Sequence, residues 1–315
     1  MSPDEFSLPL TFEPLFMERV WGGRQLETLY AKPLPPGVSV GESWEIVDRA
    51  EAQSVVAGGP HRGRTLHELW REERRAVFGD IPDAPRFPLL IKILDAREKL
   101  SVQVHPPASI APEFGGEPKT EFWYVASAAA TAELYVGLTS GASREGFKRA
   151  LERGEVAGQL QRLQARAGDS MFLPSGRVHA IGGGNVIFEI QQNSDTTFRV
   201  FDWNRTDAGK SRALHVAESL RSIDFADVEP TLVAARTGLL ADDPLFRVEH
   251  WQLDEPRRAE LEGRFAVLGC VSGKFDCAGV VRGPGEFCLL PAALRDDAIT
   301  PRAPGTALLR IAIPR

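Results

Sequence analysis

The segment Leu100-Ser-Val-Gln-Val-His-Pro106 alternates polar and apolar residues with a period of two. An extended backbone therefore turns Ser101, Gln103 and His105 to one side and Val102 and Val104 to the other. An amide and an imidazole aimed the same way are two potential ligands for a divalent metal, although such a strand alone fits a polar sheet face equally well. A second run, Lys119-Thr-Glu-Phe-Trp-Tyr-Val125, puts Lys119, Glu121 and Trp123 on one face. A carboxylate among bulky apolar neighbours is costly to bury without a cation, either an arginine or a metal. His179 follows a turn in Leu173-Pro-Ser-Gly-Arg-Val-His-Ala-Ile-Gly182 that can aim its imidazole into a barrel mouth. Gln103, His105, Glu121 and His179 form a ligand set suited to zinc with room for water or substrate. Two histidines and a carboxylate suit ferrous iron as well. His61, His67, His215 and His250 lack such neighbours and read as structural or solvated.

Two cations stand in apolar strand-forming runs. Lys92, within Phe87-Pro-Leu-Leu-Ile-Lys-Ile-Leu-Asp95, must snorkel or meet a negative partner. In the run from Asn185 to Arg205, Asp195, Thr197 and Arg199 share a face. Arg199 there either pairs with Asp195 or faces an anionic ligand. No GxxxxGK[ST] loop is present, and Gly182-Gly-Gly184 leads into a strand-like run. Phosphate binding would then rest on side chains.

The elements that must hold these groups are mainly strands. The 29 glycines and 23 prolines punctuate short runs of Val, Ile, Leu and Phe throughout the 315 residues, as in a sandwich or barrel. Helical spacing is clearest over Thr65–Val77 and Ser143–Gln159, which read as covering helices. Gly168-Asp-Ser-Met-Phe-Leu-Pro174 is echoed by Gly285-Glu-Phe-Cys-Leu-Leu-Pro291, but only the first copy leads on to a histidine. We therefore expect a catalytic domain over residues 1–228 and a smaller, metal-free β domain over 229–315, with Phe225–Glu229 as the joint. A net charge of −6 without a basic stripe argues against nucleic acid, and no apolar run is long enough to cross a bilayer. The expectation is a soluble, cytoplasmic protein. Cys270, Cys277 and Cys288 are odd in number and lack a CxxC, so they read as core residues.

SxQxHP, the glutamate of KTEFWYV, PSGRVHAIG and EIQQNSDTTFRVFDW, in this order, resemble type I mannose-6-phosphate isomerase, most nearly its short bacterial form. The resemblance spans nearly the whole chain, including Phe16–Gly23, Gly41–Ile46 and Pro88–Ala96. It implies cupin (jelly-roll) barrels and one zinc per chain, held by Gln103, His105, Glu121 and His179, with Arg199 as the essential arginine. The implied substrate pocket contains Trp21, Glu45, Lys92, Ser101, Lys119, Glu189 and Asp195, with the phosphate near the serine and lysine positions. Two departures stand out: the helical insertion of longer members is absent, and Arg205 replaces a lysine that they carry after the arginine.

The implied reaction interconverts mannose 6-phosphate and fructose 6-phosphate through a cis-enediol. Polarisation by zinc and the Arg199 cation would stabilise it, and Glu189, Asp195 or a metal-bound water would serve as base. A metal-dependent cupin dioxygenase and a noncatalytic sugar-sensing cupin are the rival readings. Gln103 and the nearby cations count against the former, and the intact Glu121, His179 and Arg199 against the latter. A zinc hydrolase is more distant, because no helical HExxH is present. Oligomeric state is left open.

Overall fold

The computed structural model describes residues 6–205 and 212–314. Its first eleven strands are β1 (Leu15–Gly23), β2 (Val40–Ile46), β3 (Leu89–Ala96), β4 (Val102–Val104), β5 (Glu121–Ala128), β6 (Glu133–Leu138), β7 (Leu160–Gln164), β8 (Ser170–Leu173), β9 (His179–Ile181), β10 (Asn185–Gln192) and β11 (Phe198–Phe201). They form a six-stranded sheet, β1-β2-β3-β10-β5-β8, facing a five-stranded sheet, β11-β4-β9-β6-β7. This is a mainly β jelly roll, as the strand-rich sequence predicts.

Alternation along the strands divides two cores. In β10, Val186, Phe188 and Ile190 turn outward into one apolar cluster while Ile187 turns inward with Trp123, Leu94 and Met171. The antiparallel register pairs Glu189 with Lys92 on β3 and with Trp123 on β5. A buried carboxylate is thereby set among a cation and an indole. Each fully buried Leu, Ile or Phe contributes about 1.5–3 kcal/mol, so a one-residue slip that turned this face outward would be severely disfavoured.

A short helix, α1 (Gln25–Tyr30), links β1 to β2, and the two expected helices are present but shorter. Thr65 caps α2 (Leu66–Glu72) in a capping box with Glu68, and a π turn over Arg74–Phe78 continues it. Ser143 caps α3 (Arg144–Arg153), which closes on Gly154 at φ 70° before a 3-10 turn over Val156–Gln159.

Residues 238–312 carry β12 (Gly238–Asp243), β13 (Phe246–Leu253), β14 (Arg257–Arg258), β15 (Ala266–Ser272), β16 (Phe275–Cys277), β17 (Val280–Arg282), β18 (Phe287–Leu290), β19 (Ala298–Pro301) and β20 (Thr306–Ala312). Their sheets run β12-β13-β20-β15-β18 and β14-β19-β16-β17. The orders β13-β20-β15-β18 and β14-β19-β16-β17 repeat those of β3-β10-β5-β8 and β4-β9-β6-β7. The echoed sequence motif occupies matching places, β8 and β18. Where Glu121 opposes Leu173 at the start of β5, Ala266 opposes Leu290 at the start of β15. The three cysteines are free and fill this second barrel with Trp251 and Phe275.

The two barrels share a core. Phe78, Phe87 and Phe188 pack in one cluster with Phe246, Phe265, Phe287 and Ile311. Leu10 also bridges to Leu289 on β18. The segment that follows Phe225 stays tied to the first barrel, since Val228 bridges Leu138 and Val233 bridges Ser170.

Candidate active site

Three of the side chains singled out from strand alternation converge inside the first barrel. His105 follows β4, Glu121 opens β5 and His179 opens β9; one ligand atom from each lies within 4.8 Å of the others. All three are buried, at 2%, 0% and 1% exposure. Gln103 on β4 stands opposite His179 in register, and its amide lies 3.2 Å from His179 Nε2.

The imidazoles are preset as ligands. His105 Nδ1 lies 2.8 Å from the Thr196 carbonyl and His179 Nδ1 lies 2.9 Å from the Arg177 carbonyl. Each Nδ1 therefore carries the proton, and each Nε2 turns its lone pair inward. Burial, with the Lys119 charge beside it, keeps His105 neutral by lowering its pKa; burial takes His179 down to about 3. Glu121 is affected in the opposite sense: burial pushes its carboxyl up, but the Lys119 ammonium holds it well below the ordinary range. Lys119 Nζ stands 2.8 Å from Glu121 Oε1. Yet His105 Nε2 and both Glu121 oxygens are buried with no partner in hydrogen-bond geometry. Orphaned polar atoms of this kind are rare in native interiors. Two neutral imidazoles and one carboxylate converging on a common point fit a divalent metal, with the amide of Gln103 as a further ligand.

Above this cluster opens a cleft of about 400 Å³. Gln103 and Lys119 line its floor, and Trp21, Lys92, Ser101, Glu189, Asp195 and Arg199 line its walls. Trp21 owes its place to a close approach of β1 and β2: a Cβ on Gly41 would stand 2.6 Å from the Trp21 ring. Lys92 does find negative partners, with Nζ 3.3 Å from Glu189 and 3.7 Å from Glu42. Glu189 also accepts from Trp123 Nε1 at 3.0 Å. Burial and the nearby Glu121 charge raise its pKa. Arg199 forms no ion pair with Asp195 among the described residues. Instead its Nη1 donates to the Ala213 carbonyl at 2.9 Å, while its Nε is buried and unpartnered. Asp195 is exposed at the mouth.

Glu45 is not in the cleft. It turns to the other face of β2, where it meets Lys32 at 2.7 Å and Ser43 at 2.5 Å. Glu42 takes the place expected of it, bound by Arg19 at 2.7 Å and by Trp44 Nε1 at 2.6 Å. Arg205 likewise faces elsewhere, donating to the Lys99 carbonyl and pairing with Asp202. Arg212, held by two bonds to Asp202, reaches the cleft together with Arg19 and Arg199. The other four histidines have structural contacts: His67 lies against Asp48, His250 bonds the Arg236 carbonyl, His61 stacks on Phe6, and His215 accepts from the Arg199 backbone N–H.

Comparison with known proteins agrees with this geometry. Residues 10–149 match the family model of the phosphomannose isomerase type I catalytic domain. The chain is 38% identical to mannose-6-phosphate isomerase ManA of Bacillus subtilis over 276 residues, covering 84% of this chain and 86% of that protein. It is 37% identical to a mannose-6-phosphate isomerase of Streptococcus mutans over 275 residues, covering 83% and 86%. The crystal structure of the mannose 6-phosphate isomerase from Bacillus subtilis superposes with a TM-score of 0.85 at 32% identity, over 97% of this chain and 99% of that one. With these relatives covering most of the chain and the His/Glu/His group in place, the chain belongs to the type I phosphomannose isomerase family.

Proposed function

We propose that this isomerase interconverts mannose 6-phosphate and fructose 6-phosphate, with zinc on His105, Glu121, His179 and Gln103. The observation that carries this reading is the buried His/Glu/His cluster, with ligand atoms converging on one point, beside a cleft rich in arginine and lysine. Zinc bound there would polarise the carbonyl and hydroxyl oxygens at C1 and C2 of the open-chain sugar. The chain's own groups supply the rest. Lys119 and the two backbone-bonded imidazoles hold the ligand set in register. The Arg199 guanidinium, with Nε free, faces the negative charge that builds on the enediol oxygens.

Glu189 is the base we favour. It is buried in the cleft with its pKa raised, which suits it to take the proton from C2 and return it at C1. Asp195 is exposed. Trp21, Leu94, Leu100 and Ile181 form the apolar part of the wall and restrict water. Arg212 and Ser101 are placed to receive the phosphate.

The second barrel acts as a metal-free partner domain from about residue 229. Three free, buried cysteines fit a reducing compartment such as the cytoplasm. No helix of the described residues is long and apolar enough to cross a membrane.

The test is turnover of purified protein on mannose 6-phosphate and fructose 6-phosphate, with glucose 6-phosphate and unphosphorylated mannose as comparators. Rapid conversion of the first pair, with a large loss for free mannose, is the expected result. Oxygen consumption with ferrous iron and no sugar conversion would replace this reading with the dioxygenase one.

A further inference from the structure

The register of the second barrel places a charged cleft where the first barrel has its catalytic one. Glu249 on β13 opposes Arg310 on β20, as Lys92 opposes Glu189. Arg310 opposes Leu268 on β15, as Glu189 opposes Trp123. Since Ala266 matches Glu121, counting back along the chain makes Arg264 the counterpart of Lys119, and along β13 makes Arg247 the counterpart of Leu90. Arg247, Glu249, Arg264 and Arg310 all line one cleft of about 360 Å³. The barrel mouth is thus retained, the metal carboxylate is replaced by a methyl group, and three guanidinium groups stand around it.

The donors are not all used. Arg310 uses each of its three nitrogens within the fold: Nε bonds the Ala259 carbonyl, Nη1 bonds Glu249, and Nη2 bonds the Glu260 carbonyl. Arg247 makes a 3.5 Å ion pair with Glu249, and its Nε is buried without a partner. Arg264 Nη1 donates to the Ile313 carbonyl. Glu249 is shared between Arg247 and Arg310, so Arg247 Nε stays buried and unpartnered at the cleft, which the Arg264 guanidinium also lines. Glu260 and Glu262 stand on the rim in left-handed backbone conformations, at φ 57° and 48°. Such conformations are costly outside glycine and concentrate where a loop is shaped for a ligand.

We propose that the mouth of the second barrel is a separate, metal-free binding site for a phosphate group, without turnover. The planar forks of Arg247 and Arg264 match a phosphate dianion, and the Glu260 carboxylate on the rim is placed to accept from a hydroxyl of a phosphorylated sugar. The site is independent of the catalytic assignment in the first barrel.

The experiment is calorimetric titration of the metal-loaded protein with a hexitol 6-phosphate, which has no carbonyl to isomerise, and in parallel with inorganic phosphate. The same titrations are run on Arg247→Gln and Arg264→Gln, with turnover measured on each. We expect a binding event that Arg247→Gln weakens by roughly tenfold or more while kcat/KM stays unchanged. Because Arg264 also ties down the Ile313 carbonyl, Arg247→Gln is the decisive variant, and its unchanged turnover reports that it is folded. Tighter binding of the hexitol phosphate than of inorganic phosphate identifies a phosphorylated sugar as the occupant; equal binding identifies phosphate itself. If no event with either probe responds to Arg247→Gln, the proposal is overturned.

Discussion

At the scale of single residues, some buried charges serve chemistry and others hold the fold. Arg199 has an unpartnered Nε in the cleft and, among the described residues, forms no ion pair. Arg199→Ala should therefore lower kcat by about two to three orders of magnitude, as loss of a donor to a developing oxyanion does. Bound metal, measured by elemental analysis, should stay at the wild-type level. Glu42 has a different role. Burial pushes its carboxyl up, but Lys92 and Arg19 more than offset this and bring it down to about 2. A carboxylate depressed in the folded state adds stability that is fully present above the unfolded value near 4.5 and is lost as pH falls toward 2. That contribution is on the order of 3 kcal/mol. Denaturant unfolding from pH 6 to pH 3 should show the loss, and Glu42→Gln should flatten this limb. An equally steep limb in the variant would assign the acid sensitivity to other groups.

At the scale of elements, the strands that carry the metal candidates were legible because each has one polar and one apolar face. Period-two alternation was enough to put Gln103 and His105 together, and Lys119 with Glu121. The same logic failed for β2. All seven of its residues are buried, so Glu42 and Glu45 both lie inside, on opposite faces, and alternation cannot say which face borders the cleft. Arg212 was missed for another reason. It reaches the cleft from beyond residues 206–211, and no strand periodicity ties it to Arg199. The expected helix ends also ran long, because Gly154 in the left-handed region closes α3 although the helical spacing continues past it. The β1–β2 approach gives a sharp test: Gly41→Ala places a methyl 2.6 Å from both the Trp21 ring and the Arg19 side chain. Overpacking of this kind costs about 1–3 kcal/mol. By moving Trp21 it should raise KM for the sugar phosphate more than it lowers kcat. An unchanged KM would show that Trp21 does not contact substrate.

At the scale of the whole molecule, the repeat in the sequence foretold two barrels but not how firmly they join. One apolar cluster holds Phe78, Phe87, Phe188, Phe265 and Phe287, with Phe78 and Phe87 packed on Phe265 and Phe188 on Phe287, and it is invisible to local pattern because its members are far apart in the chain. We expect Phe265→Ala to cost about 3–5 kcal/mol and the whole chain still to melt in one transition. Two calorimetric peaks, one unaffected by the substitution, would mean that the barrels fold independently. The central claim, that a metal on His105, Glu121 and His179 serves sugar isomerisation, is tested most directly by chelation and restoration. The protein is stripped with a chelator, assayed for conversion of mannose 6-phosphate to fructose 6-phosphate, reloaded with zinc and assayed again, with Glu121→Gln as control. Turnover should fall to background on stripping, return with one zinc per chain, and stay absent in the variant. Undiminished turnover in the stripped protein, or full recovery in Glu121→Gln, would contradict it.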